Sequence, residues 1–171
     1  MQIQSTNNLQ FGAGLVRRVN LNGKKVNFVK FNTGSKNDVK ALAEIKTLWG
    51  GKNLSAGIAE EAEILGKDAQ IYGLTLQSNN FRNVDSSKVL GLISTDKITK
   101  GKETEVFKIG TNPKYAYEQK RSKRSIKHIA STMLENIKNL NGNSKLVVKN
   151  AEPQEMKFLN KVGIEPETKR F

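Results

Sequence analysis

The C-terminal half of the chain places one amphipathic helix between two short apolar strands. Apolar residues at three- and four-residue spacing predict the helix over Ser125–Asn139. Alternating and continuous apolar runs predict strands over Glu105–Thr111 before it and Lys145–Lys149 after it. A strand–helix–strand unit puts its two strands in parallel with a right-handed crossover, so the sequence predicts a parallel strand pair in this half of an α/β fold.

The N-terminal half begins with a hairpin. Leu15–Asn20 and Lys25–Phe31 flank the tetrapeptide Leu21-Asn22-Gly23-Lys24, and Asn-Gly supplies the positive φ angles that a two-residue hairpin turn needs. We therefore expect two antiparallel strands here.

Two helices should follow the hairpin. The first begins near Ser35, with Asp38 as an acid in its first turn, and ends at Gly50-Gly51. The second spans Leu54–Leu65, and its apolar stripe consists of Ile58, Ala62 and Leu65. Its acidic residues, Glu60, Glu61 and Glu63, indicate a solvated face.

The remaining elements complete one domain over residues 15–171. Strands are predicted over Ala69–Gln77 and Val89–Ser94, and Pro153 suits the first turn of a last helix that Gly163 ends. Residues 1–14 are polar and amide-rich, which indicates a flexible tail rather than the apolar segment of a signal peptide. No apolar run approaches the length of a membrane span, and we expect a cytoplasmic protein.

The charge balance favours anionic partners. The chain has 29 Lys and Arg against 16 Asp and Glu, a net charge of +13. Such an excess attracts nucleic acid, phosphorylated cofactors, acidic lipids or acidic proteins. The chain has no cysteine and one histidine, His128, which excludes disulfides, thiolate catalysis and zinc sites built from several Cys or His ligands.

The segment Lys120–Lys127 has five cations in eight residues and precedes the predicted long helix. Cations at a helix N-terminus oppose the helix dipole. The conflict disappears if an anion binds there, held by backbone N–H groups and flanked by the cations. The alternative is a basic surface whose side chains all lie in solvent.

Four segments around this loop resemble the GNAT N-acetyltransferase superfamily. Ile109–Tyr115 is similar to the strand end and turn of that family, and Arg121–Ile126 to its pyrophosphate loop. Leu146–Asn150 is similar to the next strand with its Asn, and Met156–Ile164 to the closing apolar helix. The resemblance covers about Asn27–Ile164 and rests on the order of elements.

The resemblance implies a mixed, mostly antiparallel sheet with a parallel pair and helices on both faces. It also implies acetyl-CoA as co-substrate and an amine as acceptor. By the same resemblance, the residues that would bind acetyl-CoA are Ile109, Thr111, Arg121, Ser122, Lys123, Arg124, Ser125, Ile126, Lys127 and Asn150.

The sequence departs from the family at three places. Arg124 and Ile126 replace both loop glycines, which elsewhere let the backbone approach a pyrophosphate. Ala116–Lys120 adds five residues before the loop. Leu159 stands where many members have the tyrosine that protonates the leaving thiolate, and a leucine donates no proton.

Glu105, or else Glu103, is the candidate general base by resemblance, acting through water. The alternative is that both acids balance nearby lysines. Tyr117 or Tyr115 could replace the missing acid, or could pack locally.

Three functions remain open at this stage. The first is an acetyl-CoA-dependent N-acetyltransferase whose acceptor is an amine on a small molecule, a protein or an aminoacylated RNA. The second is a catalytically silent GNAT-like fold that binds nucleic acid or another polyanion through its basic loop. The third is a scaffold for an acidic partner. The oligomeric state stays open as well.

Overall fold

The structure is a computed structural model that describes residues 12–50, 54–66, 69–115, 126–149, 153–162 and 164–167. Its strands are β1 (Gly14–Leu21), β2 (Lys24–Lys30), β3 (Gln70–Thr75), β4 (Val89–Thr95), β5 (Thr104–Thr111), β6 (Leu146–Lys149) and β7 (Glu165–Glu167). Its α-helices are α1 (Lys36–Leu48), α2 (Leu54–Leu65), α3 (Ile129–Leu140) and α4 (Pro153–Lys161).

The seven strands form one sheet whose spatial order is the chain order. Pairing is antiparallel from β1 to β5 and parallel between β5 and β6 and between β6 and β7. The predicted mixed sheet with a parallel pair is confirmed. The strand β7 was not predicted, because its three residues, Glu165-Pro166-Glu167, have no apolar pattern.

The hairpin forms as predicted. Leu21 pairs with Lys24, and the turn residues Asn22 and Gly23 have φ angles of 52° and 83°. These values suit the mirror-image turn that matches the twist of the flanking strands. The Asn-Gly dipeptide therefore fixes the register of β1 and β2.

Helices cover both faces of the sheet, as expected. One face carries α1 and α2 over what we call the α1–α2 core, which contains Val29, Phe31, Leu42, Ile45, Trp49, Ile58, Ala59, Ala62, Ile71 and Leu92. The other face carries α3 and α4 over the α3–α4 core, which contains Phe28, Leu74, Ile93, Val106, Ile126, Ile129, Met133, Leu134, Ile137 and Leu159. The strongly apolar strand β4 lies between the two cores and is buried along its whole length.

One predicted boundary and one predicted apolar stripe are wrong. Helix α3 begins at Ile129 and not at Ser125, because His128 precedes it with a left-handed backbone (φ 64°) that a right-handed helix cannot continue through. Ile126 follows the apolar spacing of α3 but packs into the α3–α4 core from outside the helix. In α2, Leu65 is 47% exposed, and Ala59 is buried with Ile58 and Ala62 instead.

The fold begins before residue 15. Ala13 is buried, and Gly14 is the first residue of β1. A Cβ on Gly12 would lie 2.5 Å from the carbonyl oxygen of Arg82, so the backbone packs too closely there for a side chain. Residues 12–14 therefore belong to the domain, while residues 1–11 lie outside the described part of the chain.

Asp38 lies in the first turn of α1, as predicted. Its side chain is completely buried, and its Oδ2 accepts a hydrogen bond of 2.6 Å from the N–H of Asn32. Burial removes water from the carboxylate and raises the pKa of Asp38 to about 6. The backbone N–H groups of Asn32 and Ala13 act in the opposite direction.

Asp38→Asn should remove a pH dependence of stability. Since the folded pKa of about 6 exceeds the unfolded value of 3.8, the folded state binds more protons between these values. Stability therefore falls as pH rises through this window, by up to about 3 kcal/mol. The asparagine variant should match the wild type near pH 4 and exceed it near pH 8.

Urea unfolding at intervals from pH 4 to pH 8 measures this effect. Glu135→Gln is the control, since Glu135 is an exposed acid on α3. Parallel stability profiles for the wild type and Asp38→Asn would contradict the assignment of a buried, destabilised carboxylate.

Candidate functional site

Strand β5, an interior strand of the sheet, is paired with β6 along only part of its length. Its parallel pairing with β6 covers Thr104–Val106, whereas its pairing with β4 continues to Thr111. Residues 107–111 therefore have no paired strand on the β6 side in the described part of the chain. Their edge N–H and C=O groups border a gap between β5 and β6.

A β-bulge lies where the gap begins. Ser94 pairs with Lys108 and Thr95 with Val106, so Phe107 has no residue opposite it on β4. A bulge bends its strand and increases the local twist, which accounts for the loss of pairing with β6 directly after Val106. Phe107 is 43% exposed although β5 is an interior strand.

Helix α3 lies directly against β4, the strand next to β5 on the side away from the gap. A Cβ on Gly91 would lie 2.6 Å from Cε of Met133 and 2.8 Å from Cγ2 of Ile129. Only a glycine on β4 therefore allows the first turns of α3 to approach the sheet so closely. Ile109 and Thr111 of β5 pair with Ile93 and Gly91, which places both residues on the face that α3 covers.

Among the described residues, no side chain caps the N-terminus of α3. The first N–H groups of an α-helix have no partner within the helix. The side chain of His128, the N-cap residue, makes no capping hydrogen bond, and the first turn has no acidic residue. His128 is exposed and Lys127 is partly exposed. This helix end therefore has the partial positive charge that favours an anion.

Asn112 closes the end of β5 with three hydrogen bonds. Its N–H donates to the carbonyl oxygen of Leu90 (2.8 Å) and its Nδ2 to that of Val89 (3.1 Å). Its Oδ1 accepts from the N–H of Lys114 (3.1 Å). The turn after β5 is therefore held to the start of β4, on the same side of the sheet as the α3 N-terminus.

Glu105 lies on the other face of β5. Thr104 accepts a hydrogen bond from Nδ2 of Asn141 after α3 (3.1 Å), and Val106 belongs to the α3–α4 core. Since side chains alternate along a strand, Glu105 faces the side of α1 and α2. Its N–H donates to Oδ1 of Asp96 at 3.0 Å, which fixes the backbone at the base of the gap.

An ion pair lies on this same face. Nζ of Lys108 contacts Oε1 of Glu61 on α2 at 2.6 Å, and both side chains are less than half exposed. Lys108 also lies 3.0 Å from the position that a Cβ on Gly57 would take. Helix α2 is thereby held against the bulged part of β5.

The predicted site residues fall into three groups. Ile109 and Thr111 lie on the α3 face of β5. Lys127 lies just before α3, where its carbonyl oxygen accepts a hydrogen bond from Asn22 of the hairpin turn. Glu105 lies on the opposite face of β5. The side chain of Ile126 is buried in the α3–α4 core, so a ligand could contact only its backbone. Tyr117, Asn150 and the loop residues Arg121, Ser122, Lys123, Arg124 and Ser125 lie outside the described residues.

The side chains of Tyr115 and Leu159 pack against or within the core. Tyr115 packs against the α3–α4 core, and Leu159 is 3% exposed within it. In this chain Leu159 therefore contributes to the core at the position where the resemblance places a proton donor.

Sequence reasoning missed the bulge at Phe107 and the pair Lys108–Glu61. The bulge depends on register with β4, and no local signal encodes it. The acidic cluster on α2 predicted a solvated face. In the structure Glu61 instead lies over β5, where it pairs with Lys108.

No protein-family model matches the sequence, and no curated protein matches it either. Among solved structures, the chain is similar to AAC(6')-Iy in complex with the bisubstrate analog CoA-S-monomethyl-acetylneamine. The TM-score is 0.50 at 15% identity, over 85% of this chain and 94% of that one.

Two further structures are similar at lower TM-scores. The aminoglycoside N-acetyltransferase AAC(6')-Iy in complex with CoA gives 0.49 at 16% identity, over 85% of this chain and 91% of that one. Tetrahymena GCN5 gives 0.47 at 18% identity, over 77% of this chain and 74% of that one.

The described part of the chain has no helix that is long and apolar enough to cross a membrane. The fold assignment rests on the similarity at TM-score 0.50 together with the element order and the gap between β5 and β6. This chain has the fold of the GNAT acetyltransferases.

Proposed function

We propose that the protein is an acetyl-CoA-dependent N-acetyltransferase that acts on an amine. The observation that carries the proposal is the gap along β5 after Val106. The N-terminus of α3, which no described side chain caps, lies over Gly91 of the neighbouring strand β4. The similar AAC(6')-Iy structures are complexes with CoA and with a CoA-containing bisubstrate analog.

The exposed groups fit the two chemically different parts of acetyl-CoA. The pantetheine arm contains amides, and the edge of β5 at residues 107–111 offers backbone N–H and C=O groups with no paired strand in the described part of the chain. The pyrophosphate is an anion, and the first N–H groups of α3 suit it. Ile109 and Thr111 line the same face, and Arg121–Lys127 would supply the surrounding positive charge.

The acetyl thioester is the activated group that acetyl-CoA brings. Glu105 lies at the base of the gap on the opposite face, so an acceptor amine entering from the α1–α2 side would meet this carboxylate first. Glu105 would take a proton from the ammonium form, directly or through water, and leave the nitrogen lone pair free to attack.

Leu159 cannot protonate the leaving thiolate, because its side chain is aliphatic and is buried in the core. Tyr117 is the proposed donor on the sequence evidence. A thiol has an ordinary pKa of about 8.5, so a thiolate is a moderately good leaving group, and the demand on this acid is small.

Charge reversal in the basic loop should weaken acetyl-CoA binding. Arg121→Glu with Arg124→Glu places two carboxylates where the proposal needs cations for the phosphates, and we expect at least a tenfold rise in Kd, since charged hydrogen bonds contribute about 1.5–3 kcal/mol each. The measurement is calorimetric titration with acetyl-CoA.

The matched control is Lys97→Glu with Lys100→Glu, two exposed lysines in the β4–β5 turn. It changes the net charge by the same amount at the other end of the strands. Equal weakening in both double variants would mean that the net charge, and not the loop, attracts the cofactor.

The function itself is tested by thiol release from acetyl-CoA in the presence of an amine panel. The panel should contain an aminoglycoside, a polyamine, a lysine peptide and a peptide with a free N-terminus, with acetylated products identified by mass spectrometry. Acetylation of one class supports the proposal and names the acceptor. Saturable acetyl-CoA binding without any acetylated product would favour the catalytically silent alternative.

A further inference from the structure

The hairpin β1–β2 carries an uncompensated positive charge. No Asp or Glu occurs before Asp38, and Asp38 itself is buried. The hairpin has five exposed cations: Arg17, Arg18, Lys24, Lys25 and Lys30. Neither the ion pair Lys46–Glu60 nor the ion pair Lys108–Glu61 involves any of them.

The tip of the hairpin extends past the rest of the sheet. Strand β3 pairs with β2 over Asn27–Lys30, whereas β1 and β2 continue to pair as far as Leu21 and Lys24. Three residues of each strand therefore project beyond β3, a length of about 10 Å at about 3.3 Å per residue. We call this projecting part of β1 and β2, with its turn, the basic ribbon.

One face of the basic ribbon is anchored. Leu21 and Val26 are buried in the α3–α4 core, and Nδ2 of Asn22 donates to the carbonyl oxygen of Lys127 at 3.4 Å. The opposite face of the ribbon presents Asn20 and Lys25, and Arg18 of β1 continues this face next to the ribbon; all three side chains are exposed. Lys24, which pairs with Leu21, is exposed on the anchored face. The ribbon is therefore held in a fixed position. Lys127, next to the ribbon and just before α3, adds a further positive charge.

We propose that the basic ribbon is a docking surface for the phosphate backbone of double-stranded nucleic acid. A two-stranded β-ribbon fits the major groove of B-form DNA. Closely placed Lys and Arg side chains bind phosphates with release of counterions. Membrane insertion needs apolar side chains, and the only exposed large apolar residue of the hairpin is Leu15.

The contacts should be independent of base sequence. The exposed side chains of the ribbon include no aromatic ring for stacking on unpaired bases. The two asparagines of the tip are engaged in their own structure, since Oδ1 of Asn20 accepts from the N–H of Gly23 at 2.9 Å and Asn22 donates to Lys127. The cations that remain free to bind recognise phosphates, which every duplex shares.

The test is fluorescence anisotropy of the full chain with a labelled 24-base-pair DNA duplex between 50 and 200 mM NaCl. With about four phosphate contacts, log K should fall with log salt at a slope of about −3.6. Arg18→Glu with Lys25→Glu, which reverses the two cations of the presented face, should lower the affinity at least tenfold and reduce the slope by about 2. Lys97→Glu with Lys100→Glu, of equal charge change, should stay within threefold of the wild type.

Three results would overturn the proposal. One is an equal loss of affinity in both double variants, which would mean that the net charge, and not the ribbon, attracts the duplex. Another is a flat salt response of the wild type. The third is tighter binding to vesicles of phosphatidylserine than to the duplex, which would identify an anionic lipid surface instead. Thermal melting of each variant shows that the fold is retained, and the outcome is independent of acetyl-CoA binding.

Discussion

Replacement of Glu105 by glutamine is expected to lower kcat/KM for amine acetylation by about 10²- to 10⁴-fold, the usual contribution of a general base. Glutamine keeps the shape of the side chain but cannot accept a proton from an ammonium group. The backbone hydrogen bond from Glu105 to Asp96 does not depend on the side chain, so β5 should keep its conformation. The Kd for acetyl-CoA should therefore stay within about threefold of the wild type, since this residue lies on the face opposite α3.

Glu103→Gln is the matched control for this prediction. Glu103 is exposed, lies two residues before Glu105 and precedes the first residue of β5. Its replacement should leave kcat/KM nearly unchanged. If Glu103→Gln abolishes turnover while Glu105→Gln remains active, the base has been assigned to the wrong carboxylate.

Met133→Ala is expected to destabilise the protein by about 2–5 kcal/mol, as large-to-small substitutions in cores do. Met133 is fully buried, and its side chain lies against Gly91 at the centre of β4. The loss is a large part of the roughly 5–15 kcal/mol that stabilises a typical domain. It should also lower the Tm by roughly 2–4 °C per kcal/mol, and differential scanning calorimetry measures both quantities.

Gly91→Ala shows whether the effect depends on this contact. Alone, the new methyl group would lie 2.6 Å from Cε of Met133, and such overpacking costs about 1–3 kcal/mol. In the Met133→Ala background that atom is absent and only the contact with Cγ2 of Ile129, 2.8 Å away, remains, so the same methyl group should cost less. The exposed control Glu135→Ala should show no coupling with Gly91→Ala. Strictly additive effects of Gly91→Ala and Met133→Ala would mean that α3 does not sit on Gly91 as described.

Short-range signals in the sequence predicted most of the fold. The Asn-Gly turn, the capping position of Ser35, and Gly50 with a φ angle of 88° after α1 are all short-range devices, and each occurs where the sequence places it. Helix α2 matches its predicted bounds because its apolar spacing is regular over Leu54–Leu65. No local signal predicts strand β7, because Glu165-Pro166-Glu167 forms a strand only through its pairing with β6.

The site was predictable only in part, for reasons of geometry. The apolar spacing of Ile126, Ile129 and Met133 suits a helix, but spacing cannot reveal the left-handed residue His128 that separates Ile126 from α3. The burial of Asp38 depends on contact with the backbone at Asn32, which only the folded chain brings near. The bulge at Phe107 depends on the partner strand. The positions of Ile109 and Thr111 on β5 and of Lys127 before α3 follow from element order, and their role in binding stays a prediction.

Calorimetric titration of the wild-type protein with acetyl-CoA tests the central claim most directly. The account predicts saturable binding near one molecule per chain, because the gap along β5 and the N-terminus of α3 form a single site. The absence of heat at millimolar acetyl-CoA, in a sample whose cooperative melting shows it to be folded, would contradict the claim that this GNAT fold retains its cofactor site.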